Sequence, residues 1–301
     1  MHRQRGIHAV LYALFDQDGA VDREAMRRQV DHCIGAGVDG IVVLGLATEV
    51  AKLTEAERLA LIADTAADIC GRVAFGVTIY GNSLPEQATM LKAAEVASAD
   101  WVILQPPVGA YGAQAMIDFF AAAAGMTTLP VAIQNAPALM GRGLTGADIG
   151  ALIERQANIA HLKGEMPVLE VAGVISASAG RLTVLNGQGG LEMIDNLKVG
   201  CEGFVIASDI VDHVVRIWRL WQQGEHAAAG KAYANALPAM VFCMRSLEHL
   251  LCYGKRLYGI RNKVAIFDRA PSLTPNEVGL RLVSHYAAIL DSSEISADQH
   301  V

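Results

Sequence analysis

Eight short runs rich in Val, Ile, Leu and Ala alternate with longer helical patterns through roughly the first 220 residues, and no other feature constrains the fold as tightly. The runs are Ala9–Leu14, Gly40–Leu44, Val73–Ile79, Trp101–Leu104, Val131–Gln134, Ile159–Lys163, Leu182–Leu185 and Gly203–Ile206. Successive runs lie about 20 to 35 residues apart, the length that a strand plus a crossover helix requires. Alternation of this kind predicts βαβ units and a parallel sheet, and eight units predict a (β/α)8 TIM barrel. Helix starts are marked by Thr54 with Glu57, Ser83 with Glu86 and Thr145 with Asp148, each an acceptor at the cap with an acid three residues on. In the first helix Met26, Val30, Cys33 and Ile34 share one face, and Gly35-Ala36-Gly37 ends it. From about Asp209 onward strand signals vanish and three or so helical patterns follow, one rich in Ala and Met and one after Pro275. The expected organisation is a barrel over residues 1–220 and a C-terminal helical extension over 221–301, although 301 residues also fit two domains of about 150.

Composition narrows the function. The chain is 52% hydrophobic and 18% charged, against about 25% charged in an average soluble domain, so a large core is expected. Twenty-four basic and 31 acidic residues give a net charge of −7, and no long Lys/Arg run offers a footprint for phosphate backbones. Nucleic acid and anionic membrane are therefore not expected as partners. No stretch reaches the roughly 18 uncharged apolar residues of a membrane span. Five cysteines, Cys33, Cys70, Cys201, Cys243 and Cys252, are odd in number and form no CxxC pair, which reads as core thiols in a reducing cytoplasm.

Reactive groups of a (β/α)8 barrel lie at the C-terminal ends of the strands. Strand six ends in Lys163, and of seven lysines it is the only one at a strand end. Period-two alternation sends His161 and Lys163 to the same side. An amine turned into a low-dielectric interior is favoured in its neutral form, the form that attacks a ketone to make a Schiff base. Taken alone, Lys163 also reads as a lysine snorkelling to the rim. Three other strand ends carry small or amide-bearing residues that expose backbone N–H groups able to hold a carboxylate: Gly45-Leu46-Ala47-Thr48-Glu49, Gln134-Asn135-Ala136-Pro137 and Asn186-Gly187-Gln188-Gly189-Gly190.

On these residues the chain resembles the dihydrodipicolinate synthase / N-acetylneuraminate lyase family of Schiff-base class I aldolases, over nearly its whole length. The family's Gly-Thr-Thr-Gly-Glu loop, which holds the carboxylate of a 2-oxo acid, is similar to Gly45–Glu49, with Leu46 and Ala47 in place of both threonines. Its Tyr-Asn-x-Pro segment is similar to Gln134-Asn135-Ala136-Pro137, so a glutamine replaces the proton-relaying tyrosine. A second tyrosine is replaced by Val108, and the arginine that binds aspartate semialdehyde falls at Ala138-Leu139-Met140. The resemblance implies Lys163 as the Schiff-base lysine, with Gln134 and Glu165 as its catalytic partners. It places substrate against Gly45, Leu46, Ala47, Thr48, Asn135, Gln188, Gly189 and Ile206. It implies no metal and no organic cofactor, a small-molecule 2-oxo acid substrate and a homo-oligomer, tetramer or dimer.

The departures point to the branch that dehydrates 2-keto-3-deoxy sugar acids, which is similar in lacking the tyrosine and in having glutamate two residues after the lysine. Aldol cleavage needs a base on the C4 hydroxyl, usually that tyrosine. Dehydration needs a base for a C3 proton and an acid for the departing C4 hydroxyl; Glu165, Glu49, Gln134 and Thr48 are the candidates. Glu165 also reads as a helix-capping or solvated residue, and His161 as a core histidine. Alternatives are an aldolase that releases pyruvate from a 2-keto-3-deoxy acid, a dihydrodipicolinate synthase, and a degenerate 2-oxo acid binding protein that has lost its hydroxyls. His, Asp and Glu do not converge at strand ends with ligand spacing, which argues against a metal-dependent barrel.

Overall fold

The computed structural model describes residues 3–109 and 111–295. Eight parallel strands close in sequence order: β1 (Gly6–Val10), β2 (Gly40–Val43), β3 (Ala74–Ile79), β4 (Trp101–Leu104), β5 (Val131–Asn135), β6 (Ile159–Gly164), β7 (Thr183–Asn186) and β8 (Gly203–Ala207). Helices α1 (Arg23–Ala36), α2 (Glu55–Ile69), α3 (Leu84–Val96) and α4 (Ala113–Ala124) follow the first four strands. A single turn α5 (Pro137–Met140), then α6 (Gly146–Arg155), α7 (Val168–Ser178), α8 (Met193–Lys198) and α9 (Val211–Gln222) complete the ring. Strands covered by side chains inside and helices outside are buried on both faces, which is why they read as continuous apolar runs. The fold is therefore the expected TIM barrel.

The three capping boxes form as expected at Thr54/Glu57, Ser83/Glu86 and Thr145/Asp148. Each ties two otherwise unpaired amides and fixes where a helix leaves its strand, worth about 1 kcal/mol apiece. Helix α1 buries Met26, Val30 and Cys33 and ends on Gly37 at φ 85°, a left-handed cap that glycine takes without penalty.

The first strand lies earlier in the chain than the expected Ala9–Leu14. It spans Gly6–Val10 because the backbone of Tyr12 pairs with a side chain: Tyr12 N donates to Gln29 Oε1 at 2.8 Å and Gln29 Nε2 donates to Tyr12 O at 3.0 Å. A glutamine on α1 thus satisfies the amide beyond β1, and hydrophobicity alone does not register that exchange. The closing seam is tight. A methyl group on Gly203 would fall 2.1 Å from Gly6 O, so β8 reaches β1 only because no side chain stands between them.

Beyond α9 come α10 (His226–Cys243), α11 (Leu247–His249), α12 (Lys255–Asn262) and α13 (Glu277–Ile295), with a π-turn over Leu250–Gly254 joining α11 to α12. Residue 220, the expected boundary, falls in the last turn of α9. This extension packs over the C-terminal end of the barrel. Gly254 sits against β1's exit, where an added methyl would lie 2.6 Å from the Tyr12 hydroxyl.

The opposite end of the barrel is plugged by His8, Trp101 and His161, with ring centroids 5.1 and 5.7 Å apart. His161 Nε2 accepts from Gln4 N at 2.9 Å and His8 Nε2 donates to Arg5 O at 3.1 Å. Burial pushes both imidazoles down to about 4, so both are neutral at physiological pH. His161 is thus a core residue.

All five cysteines are free, four of them buried and Cys70 exposed. Among the described residues no helix is long and apolar enough to cross a membrane.

Candidate active site

Lys163 and Gln134 are register partners on β6 and β5, so both side chains enter the barrel on the same level. Two residues beyond Lys163, Glu165 enters on the same side. Its carboxyl is the hub. Oε2 lies 3.2 Å from Lys163 Nζ and accepts from Gln134 Nε2 at 2.7 Å, while Oε1 accepts from Gln188 N at 3.3 Å. Gln105, at the end of β4, donates through Nε2 to Gln134 Oε1 at 2.9 Å. A carboxylate only accepts, so Gln134 must turn its amide nitrogen to Glu165 and its oxygen to Gln105. Donation therefore runs from Gln105 through Gln134 to Glu165, and Lys163 donates to the same carboxylate from the other side.

Lys163 and Glu165 are each only 5% exposed, which decides against two sequence readings. Lys163 does not snorkel to the rim, and Glu165 is neither solvated nor a helix cap. The start of α7 is capped instead by Glu192, whose Oε2 accepts from Val168 N at 3.1 Å. Room for the Glu165 carboxyl comes from Gly187, where a methyl group would stand 2.5 Å from Oε1.

The cavity over Lys163 and Glu165 is walled by Leu46, Ala47, Gly189 and Ile206 among the expected residues. Gly45 packs its α-carbon on Val10, 2.7 Å from an added methyl, and lets the end of β2 approach β1. Leu44 just before it is held at φ 65°, a conformation costly for a leucine and characteristic of functional loops. In the loop that follows, Thr48 N donates to Gly45 O and Glu49 N to Leu46 O, which folds the segment so that Leu46 and Ala47 face the cavity.

Three expected residues, Thr48, Asn135 and Glu49, serve elsewhere, and Gln188 enters the site only through its backbone. Thr48 Oγ1 donates to Leu11 O at 2.6 Å and is wholly buried in the loop's base. Asn135 bridges both backbone groups of Leu144, at 2.9 and 2.8 Å, and so shapes the segment after α5. Gln188 contributes its amide N–H to Glu165, and its residue borders the outer cleft with Ala138 and Arg245. Glu49 is committed to an ion-pair cluster with Lys52, at 2.5 Å, and with the buried Lys255 of α12. Burial pulls Lys255 below the usual lysine range and Glu49 opposes that shift. Neither Thr48 nor Glu49 can therefore be the acid or base for chemistry at Lys163. Val108 stands 56% exposed on the β4 loop, its amide donating to Asn82 Oδ1, outside the cavity lining.

Sequence reasoning missed Gln105, whose polar character directly before Pro106-Pro107 was the available signal, and Gly187. It also missed the roof. Leu139, Met244, Leu247 and Leu250 complete the cavity wall, the last three from the extension. Met244 lies over Gly189, at which a methyl group would come within 2.5 Å of the Met244 side chain.

Comparison with known proteins agrees with this fold. The family model described as "Dihydrodipicolinate synthetase family" matches residues 3–253. The protein described as "Probable 2-dehydro-3-deoxy-D-pentonate aldolase YjhH" from Escherichia coli (strain K12) is 25% identical over 269 residues, 86% of this chain and 89% of that one. The L-2-keto-3-deoxyarabonate dehydratase of Azospirillum brasilense is 26% identical over 78% of each chain. In three dimensions, the 4-hydroxy-tetrahydrodipicolinate synthase of Methylacidiphilum fumariolicum SolV superposes with a TM-score of 0.92 at 22% identity, covering 99% of both chains. An interior strand-end lysine in a closed eight-stranded barrel, roofed by C-terminal helices and matched by the family model over 3–253, leads to one conclusion: the chain is a lyase that belongs to the dihydrodipicolinate synthetase family.

Proposed function

We propose that Lys163 forms a Schiff base with a 2-oxo acid and that the enzyme dehydrates a 2-keto-3-deoxy sugar acid. The observation that carries this reading is the Lys163 Nζ to Glu165 Oε2 separation of 3.2 Å inside the barrel, with an amide, Gln134, where a tyrosine would serve aldol cleavage. Leu46 and Ala47 line the cavity, and this reading assigns the substrate carboxylate to the backbone N–H groups of their loop. Lys163 attacks C2, water leaves, and the iminium acidifies the C3 proton. Glu165 takes that proton and, now an acid, returns it to the departing C4 hydroxyl. Gln134 orients Glu165 through its N–H and has no titratable proton of its own near neutral pH. The protonated imine is the electron sink, so the mechanism calls for no metal and no organic cofactor. Aldol cleavage would instead need a base on the C4 hydroxyl, and among the described residues no phenol lines this cavity.

The same reading places the protein in the cytoplasm, supported by its five free thiols, as a homo-oligomer, tetramer or dimer, supported by exposed apolar side chains such as Val108 and Leu169.

Borohydride reduction in the presence of pyruvate should leave a mass adduct on the Lys163 peptide and none in Lys163→Ala. With a 2-keto-3-deoxy acid, the wild type should give the dehydrated product, with pyruvate a minor fraction of substrate consumed. Stoichiometric pyruvate would make the enzyme an aldolase; no adduct with any 2-oxo acid would leave a binding protein.

A further inference from the structure

Gln105 lies outside the lining of the cavity, yet its side chain ends the hydrogen-bonded row that leads to Glu165. Its backbone is pinned on two sides: Gln105 N donates to Ile79 O of β3 at 3.2 Å, and Gln105 O accepts from Nε2 of the wholly buried Gln87 of α3 at 3.3 Å. Pro106, which follows, biases the Gln105 backbone towards the extended region. The side chain therefore leaves a rigid stem. Gln105 is buried, as is Gln134, so neither amide can trade its protein partner for bulk water.

We infer that Gln105 is a positioning residue: it holds Gln134 as a hydrogen-bond donor throughout the catalytic cycle, so that Glu165, once protonated, finds no acceptor on Gln134 and keeps its proton available to the substrate. This deepens the dehydratase reading and rests on it. A free glutamine amide turns over about its last bond, whose two orientations have nearly the same shape. While Glu165 is a carboxylate, only the Gln134 N–H can face it. After Glu165 has taken the C3 proton the choice reopens, since a carboxylic acid is also a donor and the Gln134 oxygen would accept from it. A turned Gln134 would then bond the very proton that has to reach the C4 hydroxyl. Gln105 closes that route. If Gln134 turned alone, two N–H donors would face each other across the buried 2.9 Å contact, and each would lose its acceptor. Both amides would have to turn together.

The proton at stake has two fates. From the iminium, the C3–H electron pair becomes the C2=C3 bond of an enamine and the proton rests on Glu165. Passed to C4, it leaves with the hydroxyl as water, the enamine pair moves into a C3=C4 bond and the iminium is restored. Returned to C3, it regenerates the starting imine, and any exchange with solvent in the meantime labels unreacted substrate. By keeping Gln134 turned as a donor, Gln105 tilts this partition towards product.

The test is turnover of a 2-keto-3-deoxy sugar acid in heavy water, with C3 deuterium in recovered substrate measured against dehydrated product by mass spectrometry. Gln105→Met keeps the length of the side chain and removes its donor. It should raise the ratio of label to product by about tenfold, the equivalent of one net hydrogen bond, while borohydride trapping of pyruvate stays at the wild-type level because Lys163 is untouched. When Gln134→Met is added to Gln105→Met no amide is left to accept the proton, so the ratio should return to near the wild-type value although the overall rate is lower. A residue that only filled space would slow labelling and dehydration together, and the double variant would show no such return. An unchanged ratio in Gln105→Met, a ratio that stays high in the double variant, or loss of pyruvate trapping in Gln105→Met would each overturn the inference and spare the dehydratase reading. A wild type that traps pyruvate but releases no dehydrated product would refute that reading, and this inference with it.

Discussion

Glu165 and Gly187 are in contact such that one methyl group on the glycine would stand 2.5 Å from Oε1 and 2.8 Å from the carboxyl carbon. Gly187→Ala must therefore push the carboxyl away from Lys163. We expect kcat to fall by about a hundredfold, the usual cost of a misplaced acid–base group, with pyruvate trapping by borohydride retained because the amine is untouched. Unaltered turnover in Gly187→Ala would remove Glu165 from the mechanism.

Condensation of pyruvate with aspartate semialdehyde should be negligible. Leu139 lines the cavity at the place where the sequence resemblance calls for an arginine, and a hydrocarbon cannot pair with the second carboxylate. The missing charge-assisted hydrogen bond is worth about 1.5–3 kcal/mol, or roughly tenfold to a hundredfold in affinity. Condensation at a rate comparable with turnover of a 4-hydroxy-2-oxo acid would sink this prediction.

Lys255→Met should destabilise the protein by up to about 3 kcal/mol, because it strips one of two cations from the buried Glu49 carboxylate. The double variant Glu49→Gln with Lys255→Met should recover most of the loss, since the orphaned charge goes with it. Denaturant midpoints of the two variants against wild type decide the matter. Equal midpoints for all three would show that the pair carries no weight.

Stability should decline below neutral pH. His8 and His161 have native pKa values of about 4 against 6.5 unfolded, so between those values the unfolded chain binds more protons. Their contribution is complete above about pH 6.5 and is lost as pH falls towards 4, by up to about 3 kcal/mol per ring. Asp209 acts oppositely: burial raises its carboxyl to about 6 from 3.8, which favours the native state as pH drops and offsets part of the loss. The net effect is a lower denaturation midpoint at pH 5 than at pH 7, and a shallower decline in His8→Leu. A wild-type midpoint that does not move across this range would refute the assignment.

The barrel was legible because each buried parallel strand writes itself as an apolar run and three helices announce their starts with capping boxes. Seven strands lie within about a residue or two of expectation, and β1 departs because Gln29 pairs with Tyr12 in place of a strand neighbour. Lys163 was legible through alternation along β6. Glu165 was legible only through the family resemblance, since a glutamate just past a strand looks the same whether it caps a helix or turns inward, and only Gly187 on the next loop makes space for it. Met244 and Lys255 were out of reach for another reason: Lys255 meets Glu49 across 206 residues of chain, and such contacts are decided by how helices dock.

The roof that Met244, Leu247 and Leu250 place over Lys163 has a kinetic meaning under the imine reading. An iminium is open to attack by any water that reaches C2, so each turnover is a race between loss of the C4 hydroxyl and premature hydrolysis back to substrate. Helices contributed from beyond the barrel set the odds of that race by rationing solvent. Loosening that roof would leave the lysine where it is, yet would commit more of its imines to futile cycles.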